Sequence, residues 1–219
     1  ASPPRGMKRR EKNPFDRWET FWLVAGIMDA VLISYNAARP KIRDGDVLLF
    51  RRRRGFMGKL IATAGRSEYS HAAMAAWWRD RLMCLETVQG CGGRAVLLST
   101  LVEDAPGRID VYRALPKLRR FRRQAAVEAM IEITGRRYGW PALLKAALTH
   151  LPVVRFLVRP ETDDAADGHL PFCSQAVARA YRLGGLDPVP NLADRLTEPG
   201  DLARSAVLEY RFTLGPNPK

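Results

Sequence analysis

Residues 170–177, the run Leu170, Pro171, Phe172, Cys173, Ser174, Gln175, Ala176 and Val177, constrain this chain more than any other stretch. Pro171 suits the first position of a helix, where its missing N–H costs nothing. Beyond it Cys173, Val177 and Tyr181 recur every four residues, with Ala176, Ala180 and Leu183 beside them. That spacing predicts one apolar stripe, ended by Gly184 and Gly185. Cys173 then sits at the buried edge of a helix N-terminus, whose partial positive charge favours the thiolate over a thiol of ordinary pKa, about 8.5. The competing reading of Cys173 is a small core residue, the usual lot of a free cysteine.

A helix with such a stripe needs a surface to lie on, and the middle of the chain supplies strands. After Pro40 the pattern turns from helical to alternating. Asp44, Gly45 and Asp46 signal a turn, and Val47 to Phe50 read as a strand running into the solvated rim Arg51 to Arg54. Residues 55–64 suggest a short helix. His71 to Trp78 read as a strand despite their alanines, paired through Arg79, Asp80 and Arg81 with a strand from Leu82 to Val88. The glycine-rich turn from Gln89 to Gly93 leads to strands over 95–98 and 109–113. A helix follows over 117–134, closed by Gly135. Residues 138–170 read as an insertion with a helix over 142–149 and an acidic tip over 161–167, the kind of segment that walls a site. The turn Glu198 to Asp201 and a strand over 207–212 finish the domain. The expected class is α+β, an antiparallel sheet or barrel packed on the cysteine helix, over residues 40–214.

The 219 residues, 47% apolar, are enough for one core with extensions. Residues 1–17 read as a flexible basic arm and residues 18–38 as an additional N-terminal helix. The apolar run from Phe21 to Tyr35 falls short of the ~20 residues of a membrane span, and Asp29 interrupts it. That helix is expected to pack on the domain or lie on a membrane surface, which leaves a cytoplasmic and an envelope-associated location both open. Met7 to Arg10 ahead of an apolar run has some character of a signal anchor, against which Asp16, Glu19 and Asp29 argue. Three cysteines without a CxxC or Cys/His cluster exclude a disulfide framework and a structural zinc site, and no metal or cofactor is expected. The net charge of +13 draws the molecule to anionic lipid, cell-wall polymer or nucleic acid. Nucleic acid is the least favoured of these, because few aromatics interleave with Arg119, Arg120, Arg122 and Arg123 to stack bases.

If Cys173 is a nucleophile, it needs a proton acceptor within hydrogen-bond reach and a third group to orient that acceptor. His71, at the mouth of a central strand, can face a helix N-terminus packed on the sheet. His169 lies close in sequence but on the approach to the helix, and His150 ends an apolar helix as a structural residue would. Glu86 shares a strand face with Leu82 and Cys84, so its carboxylate either sits at an exposed strand end or needs a buried partner such as an imidazole N–H.

Taken in order, Gly45-Asp46-Val47, Ser70-His71, Leu85-Glu86, Tyr138-Gly139-Trp140 and Phe172-Cys173-Ser174-Gln175-Ala176-Val177 resemble the circularly permuted NlpC superfamily of papain-fold cysteine hydrolases, in particular its YiiX-like branch. The resemblance covers roughly residues 42–213. It implies a permuted papain-like fold in which the histidine strand precedes the cysteine helix. It also implies Cys173 as nucleophile, His71 as general base and acid, and Glu86 as the group orienting His71. Tyr69, Ser70, Ser174, Tyr138 and Trp140 stand in the same motifs and are expected at the substrate. The implied substrate is an amide or ester of a cell-wall peptide, an isopeptide or a lipid, since related permuted members include lipid acyltransferases. Gln175 departs from the acidic residue more common there. A basic binding module on the same fold, without catalysis, is the alternative.

Overall fold

The alternating stretch between residues 47 and 114 forms the centre of an antiparallel sheet in the computed structural model, which describes residues 31–51, 67–88, 91–118, 120–135, 172–190 and 192–218. The strands are β1 (Leu32–Ser34), β2 (Val47–Arg51), β3 (Tyr69–Trp78), β4 (Arg81–Val88), β5 (Gly92–Leu97), β6 (Ile109–Ala114) and β7 (Leu208–Gly215). Their order across the sheet is β1-β7-β6-β2-β3-β4-β5, antiparallel throughout except for the β1/β7 pair. The helices are α1 (Tyr35–Ala38), α2 (Leu98–Asp104), α3 (Arg123–Glu132), α4 (Cys173–Leu183) and α5 (Pro199–Ala203). Two 3-10 turns, Arg39–Lys41 and Asp194–Leu196, complete the described elements. The chain is thus α+β.

Strand alternation sends side chains to two cores. On one face Leu49, Met74, Leu85 and Tyr112 meet Ala126, Met130, Val177 and Tyr181 from α3 and α4. On the other, Leu48, Ala73, Cys84 and Phe212 meet Tyr35 and Leu98 from α1 and α2. The alanines of β3 belong to this design: Ala72 and Ala76 face a helix that itself presents Ala176 and Ala180, so backbone can approach backbone. The apolar stripe of α4 is buried as its spacing predicts, and Gly184 follows its last residue.

Asp46 has no exposed surface and sits where β2 begins. Its carboxylate accepts from Arg113 Nε at 2.8 Å and Nη2 at 2.5 Å, and from the Arg43 N–H at 2.8 Å, with Arg123 Nη1 at 3.6 Å. A buried carboxylate is tolerable only with such partners. Here they tie β2, β6 and α3 together. The Tyr181 hydroxyl donates to the Gly45 carbonyl, fastening α4 to the same turn.

Three boundaries differ from expectation. The helix expected over 18–38 does not run through its last residues: Leu32–Ser34 are a parallel strand on β7, with Ile33 opposite Leu214, and only Tyr35–Ala38 are α-helical. The helix expected over 117–134 starts at Arg123, because the Arg122 N–H is taken by the Gly184 carbonyl at 2.7 Å and holds that residue extended. The strand expected over 95–98 spans Gly92–Leu97, and Leu98 opens α2. The basic arm, the helix over 55–64 and the insertion over 138–170 with its helix and acidic tip lie outside the described residues.

Candidate active site

His71 owes its position to an irregularity in the β2/β3 ladder. Phe50 pairs with His71, but the next residue, Arg51, pairs with Tyr69, so Ser70 is an extra residue in β3. A bulge of this kind re-aims the side chains beside it. Ser70 is left exposed, its hydroxyl 3.5 Å from the Phe50 carbonyl. The Phe50 ring stands edge-on to the imidazole, centroids 5.2 Å apart, and walls one side of it.

Glu86 reaches His71 diagonally across the sheet. Met74 lies opposite Leu85, so continuing that register sets Glu86 across from Ala73 and His71 two residues further along the same face. His71 Nε2 is 2.6 Å from Glu86 Oε2. The Glu86 side chain is 4% exposed and that of His71 23%. Glu86 is therefore no exposed strand end; it is a buried carboxylate with an imidazole partner.

With Nε2 occupied by Glu86, Nδ1 is the ring nitrogen left, and Cys173, which opens α4, interacts electrostatically with the His71 side chain. Burial opposes ionisation of both groups, and the contact between them overcomes it. Hydrogen bonds and charge from Cys173 and then Glu86 push the His71 pKa up to about 10. The Cys173 thiol is held below its usual range by the His71 hydrogen bond and charge, helped by backbone N–H groups of Ala72 and Ser174. Glu86, despite its burial, is held low by His71 and Arg94. The arrangement favours a thiolate beside an imidazolium and a carboxylate, the thiolate being the nucleophilic form of cysteine. Cys173 remains partly exposed, whereas Cys84 is buried in the opposite core with its pKa raised and Cys91 is exposed.

Other residues expected at the substrate have different surroundings. Tyr69 is buried, its hydroxyl donating to Asp110 at 2.5 Å and lying 3.0 Å from the Tyr112 hydroxyl. Asp110 also receives Arg51 Nε and the Thr213 hydroxyl, so this network braces the floor beneath the bulge. Ser174 is buried and donates to the Thr197 carbonyl at 2.6 Å, fixing the start of α4 to the chain ahead of α5. Both hydroxyls are thus directed into the protein. Tyr138, Trp140, His150 and His169 lie outside the described residues. Gln175 acts locally, where its Oε1 accepts the Phe172 N–H at 3.2 Å and its amide donates to the Arg195 carbonyl, which caps the helix.

Sequence reasoning missed Arg94. Its Nε and Nη2 lie 2.8 and 2.7 Å from Glu86 Oε1, the oxygen His71 leaves free. The signal was available in the hairpin register, which sets residue 86 opposite residue 94. Among the described residues no three His, Cys, Asp or Glu side chains converge as a metal ion would need.

No family model matches the chain, and no curated protein matches it. Among solved structures, the crystal structure of the metalloprotein YiiX from Escherichia coli O157:H7, DUF1105, is similar: 16% identity over 80% of this chain and 98% of that one, with a TM-score of 0.54. At that identity the similarity is one of fold, and the architecture built from these strands and helices is YiiX-like.

Proposed function

We propose that this chain is a cysteine-dependent hydrolase or acyltransferase on a permuted papain-like fold of the NlpC superfamily, acting on an amide or ester through a thioester at Cys173. The observation that carries the reading is the His71 imidazole held between the Cys173 thiol and Glu86, with Nε2 2.6 Å from Oε2. Surface packing has no use for a buried carboxylate that raises the basicity of an imidazole beside a helix-start thiol; acyl transfer uses all three.

In the proposed cycle Cys173 Sγ attacks the carbonyl carbon and the C=O electron pair moves onto oxygen. The Cys173 backbone N–H, in the first turn of α4 and without an intrahelical acceptor, donates to that oxyanion. When the carbonyl re-forms, the C–N or C–O bond breaks and His71 passes its proton to the leaving amine or alkoxide. Neutral His71 then takes a proton from water or another acceptor, which attacks the thioester and releases the thiolate. Glu86 holds the ring in position at both steps. The substrate is an amide or ester of a cell-wall peptide, an isopeptide or a lipid, and the net charge of +13 favours one presented on an anionic surface.

A metal site such as the word metalloprotein implies for YiiX does not fit these residues. Glu86 already holds His71 Nε2, Arg94 covers the second Glu86 oxygen, and no set of three ligands converges among the described residues.

The test is alkylation of the full chain by iodoacetamide at neutral pH, with each cysteine followed by mass spectrometry. Cys173 should react roughly tenfold faster than exposed Cys91, because contact with His71 favours the Cys173 thiolate. His71→Ala should remove the difference. Equal rates at Cys173 and Cys91 would defeat the proposal and leave the basic binding module as the better account.

A further inference from the structure

Glu86 is almost fully enclosed, yet its charge partner in the proposed cycle is a group that repeatedly loses its charge. Each acyl transfer takes the proton from His71. A carboxylate facing only a neutral imidazole would then be buried without a counter-charge, a condition that proteins relieve by protonating the acid. A protonated Glu86 could no longer hold the imidazolium when it re-forms.

The second Glu86 oxygen answers this difficulty. Arg94 lies directly opposite Glu86 in the β4/β5 ladder and places Nε and Nη2 at 2.8 and 2.7 Å from Oε1, while Oε2 serves His71. A guanidinium does not deprotonate in a protein, so this charge is constant where that of His71 is not. The backbone of Arg94 is equally fixed. Its neighbour Gly93 packs so closely on the segment after α3 that an added Cβ would stand 2.0 Å from the Ile133 carbonyl, and the Gly135 N–H donates to the Gly93 carbonyl at 2.7 Å.

We propose that Arg94 is a positioning residue, a permanent cation at Oε1 that keeps Glu86 ionised and Oε2 aimed at His71 while the imidazole cycles between charged and neutral. This rests on the assignment of Cys173 and His71 above. The groups facing Glu86 are His71 from β3, Cys84 from its own strand and Arg94 from β5, with Cys173 of α4 beyond His71. Of these Arg94 alone is positive throughout the cycle. The Arg94 side chain is 43% exposed, and as a surface ion pair it would matter little to stability. Its importance lies in the protonation state of the enclosed carboxylate.

The experiment reads the pH dependence of Cys173 alkylation in the full chain, which needs no substrate. In the wild type the acid limb falls below the ordinary thiol value of about 8.5. In Arg94→Met the limb moves up by about one pH unit: as pH falls, Glu86 takes a proton sooner and releases the imidazolium that holds the thiolate. Arg94→Lys restores most of the shift. In a Glu86→Gln background Arg94→Met moves the limb no further, because the group it acts through is gone. Circular dichroism melts accompany each variant, and Arg94→Gln replaces Arg94→Met if the latter does not fold. A limb unmoved by loss of Arg94, or a shift undiminished beside Glu86→Gln, overturns the proposal with the Cys173 assignment intact. A wild-type limb near about 8.5 instead overturns that assignment and this proposal together.

Discussion

A thiol and an imidazole in hydrogen-bond contact titrate as a pair, and the pair defines the pH window in which either can work. Below the lowered Cys173 pKa the sulfur is protonated and unreactive; above about 10 His71 has lost the proton a leaving group needs. A pH–rate profile for any accepted ester or amide is therefore expected to be bell-shaped. Its acid limb should lie below the ordinary thiol range and its alkaline limb near 10. The His71 ring can be watched directly by NMR. In the wild type it should hold its second proton to about pH 10. In Cys173→Ala, where the larger of its two supports is removed, that proton should leave by more than about one unit earlier, while Glu86 still keeps the value above the ordinary 6.5 or so. His71→Ala should cut turnover by about 10²–10⁴-fold, the usual worth of a positioned acid–base. An imidazole that titrates at its ordinary value in both proteins would break the link between the sulfur and the carboxylate.

At the scale of elements, what could be read from the chain beforehand was whatever local spacing encodes. The four-residue recurrence from Cys173 to Tyr181 specified α4, its buried face and the placement of the sulfur at its head. The hairpins β3/β4 and β4/β5 followed from short turns, which made Glu86 a candidate partner for His71. Local spacing did not encode pairings made at a distance. Leu32–Ser34 continue an apolar run that looks helical, and only the far edge of β7 makes them a strand. The carbonyl of Gly184 likewise delays the start of α3 to Arg123. Nor could polarity reveal that Tyr69 and Ser174 turn inward, since their acceptors, Asp110 and the Thr197 carbonyl, are remote in sequence. Gly93 is the point where two such distant pieces touch. Gly93→Ala forces β5 and the Ile133 carbonyl apart, because its Cβ would stand 2.0 Å from that oxygen. Overpacking of this kind costs about 1–3 kcal/mol, or a fall in Tm of several degrees in a thermal melt. Because Arg94 follows immediately, Gly93→Ala should also slow Cys173 alkylation; a melt identical to wild type would show that the contact yields freely.

For the molecule as a whole, the balance is between a charge of +13, which repels itself, and a small number of buried carboxylates that gather cations where strands and helices join. Asp46 is one of these, and its partners stand on β6, on α3 and on the turn leading into β2. Arg113 is buried as well, its side chain 7% exposed, and its Nη2 also donates to the Lys41 carbonyl at 2.6 Å. Removing one member of a buried pair is costlier than removing both, because the survivor keeps its desolvation and loses its counter-charge. Asp46→Asn is therefore expected to destabilise the fold by about 3–5 kcal/mol, visible as a drop in Tm of about 10 °C or more. Replacing both Asp46 and Arg113 with leucine should recover part of that loss, the remainder reflecting the unanswered Lys41 carbonyl and the freed Arg123. Chemical denaturation of wild type, Asp46→Leu, Arg113→Leu and the double leucine variant supplies the cycle. If the two single losses simply add, the pair is not coupled, and the junction of β2, β6 and α3 must be held by its apolar contacts instead.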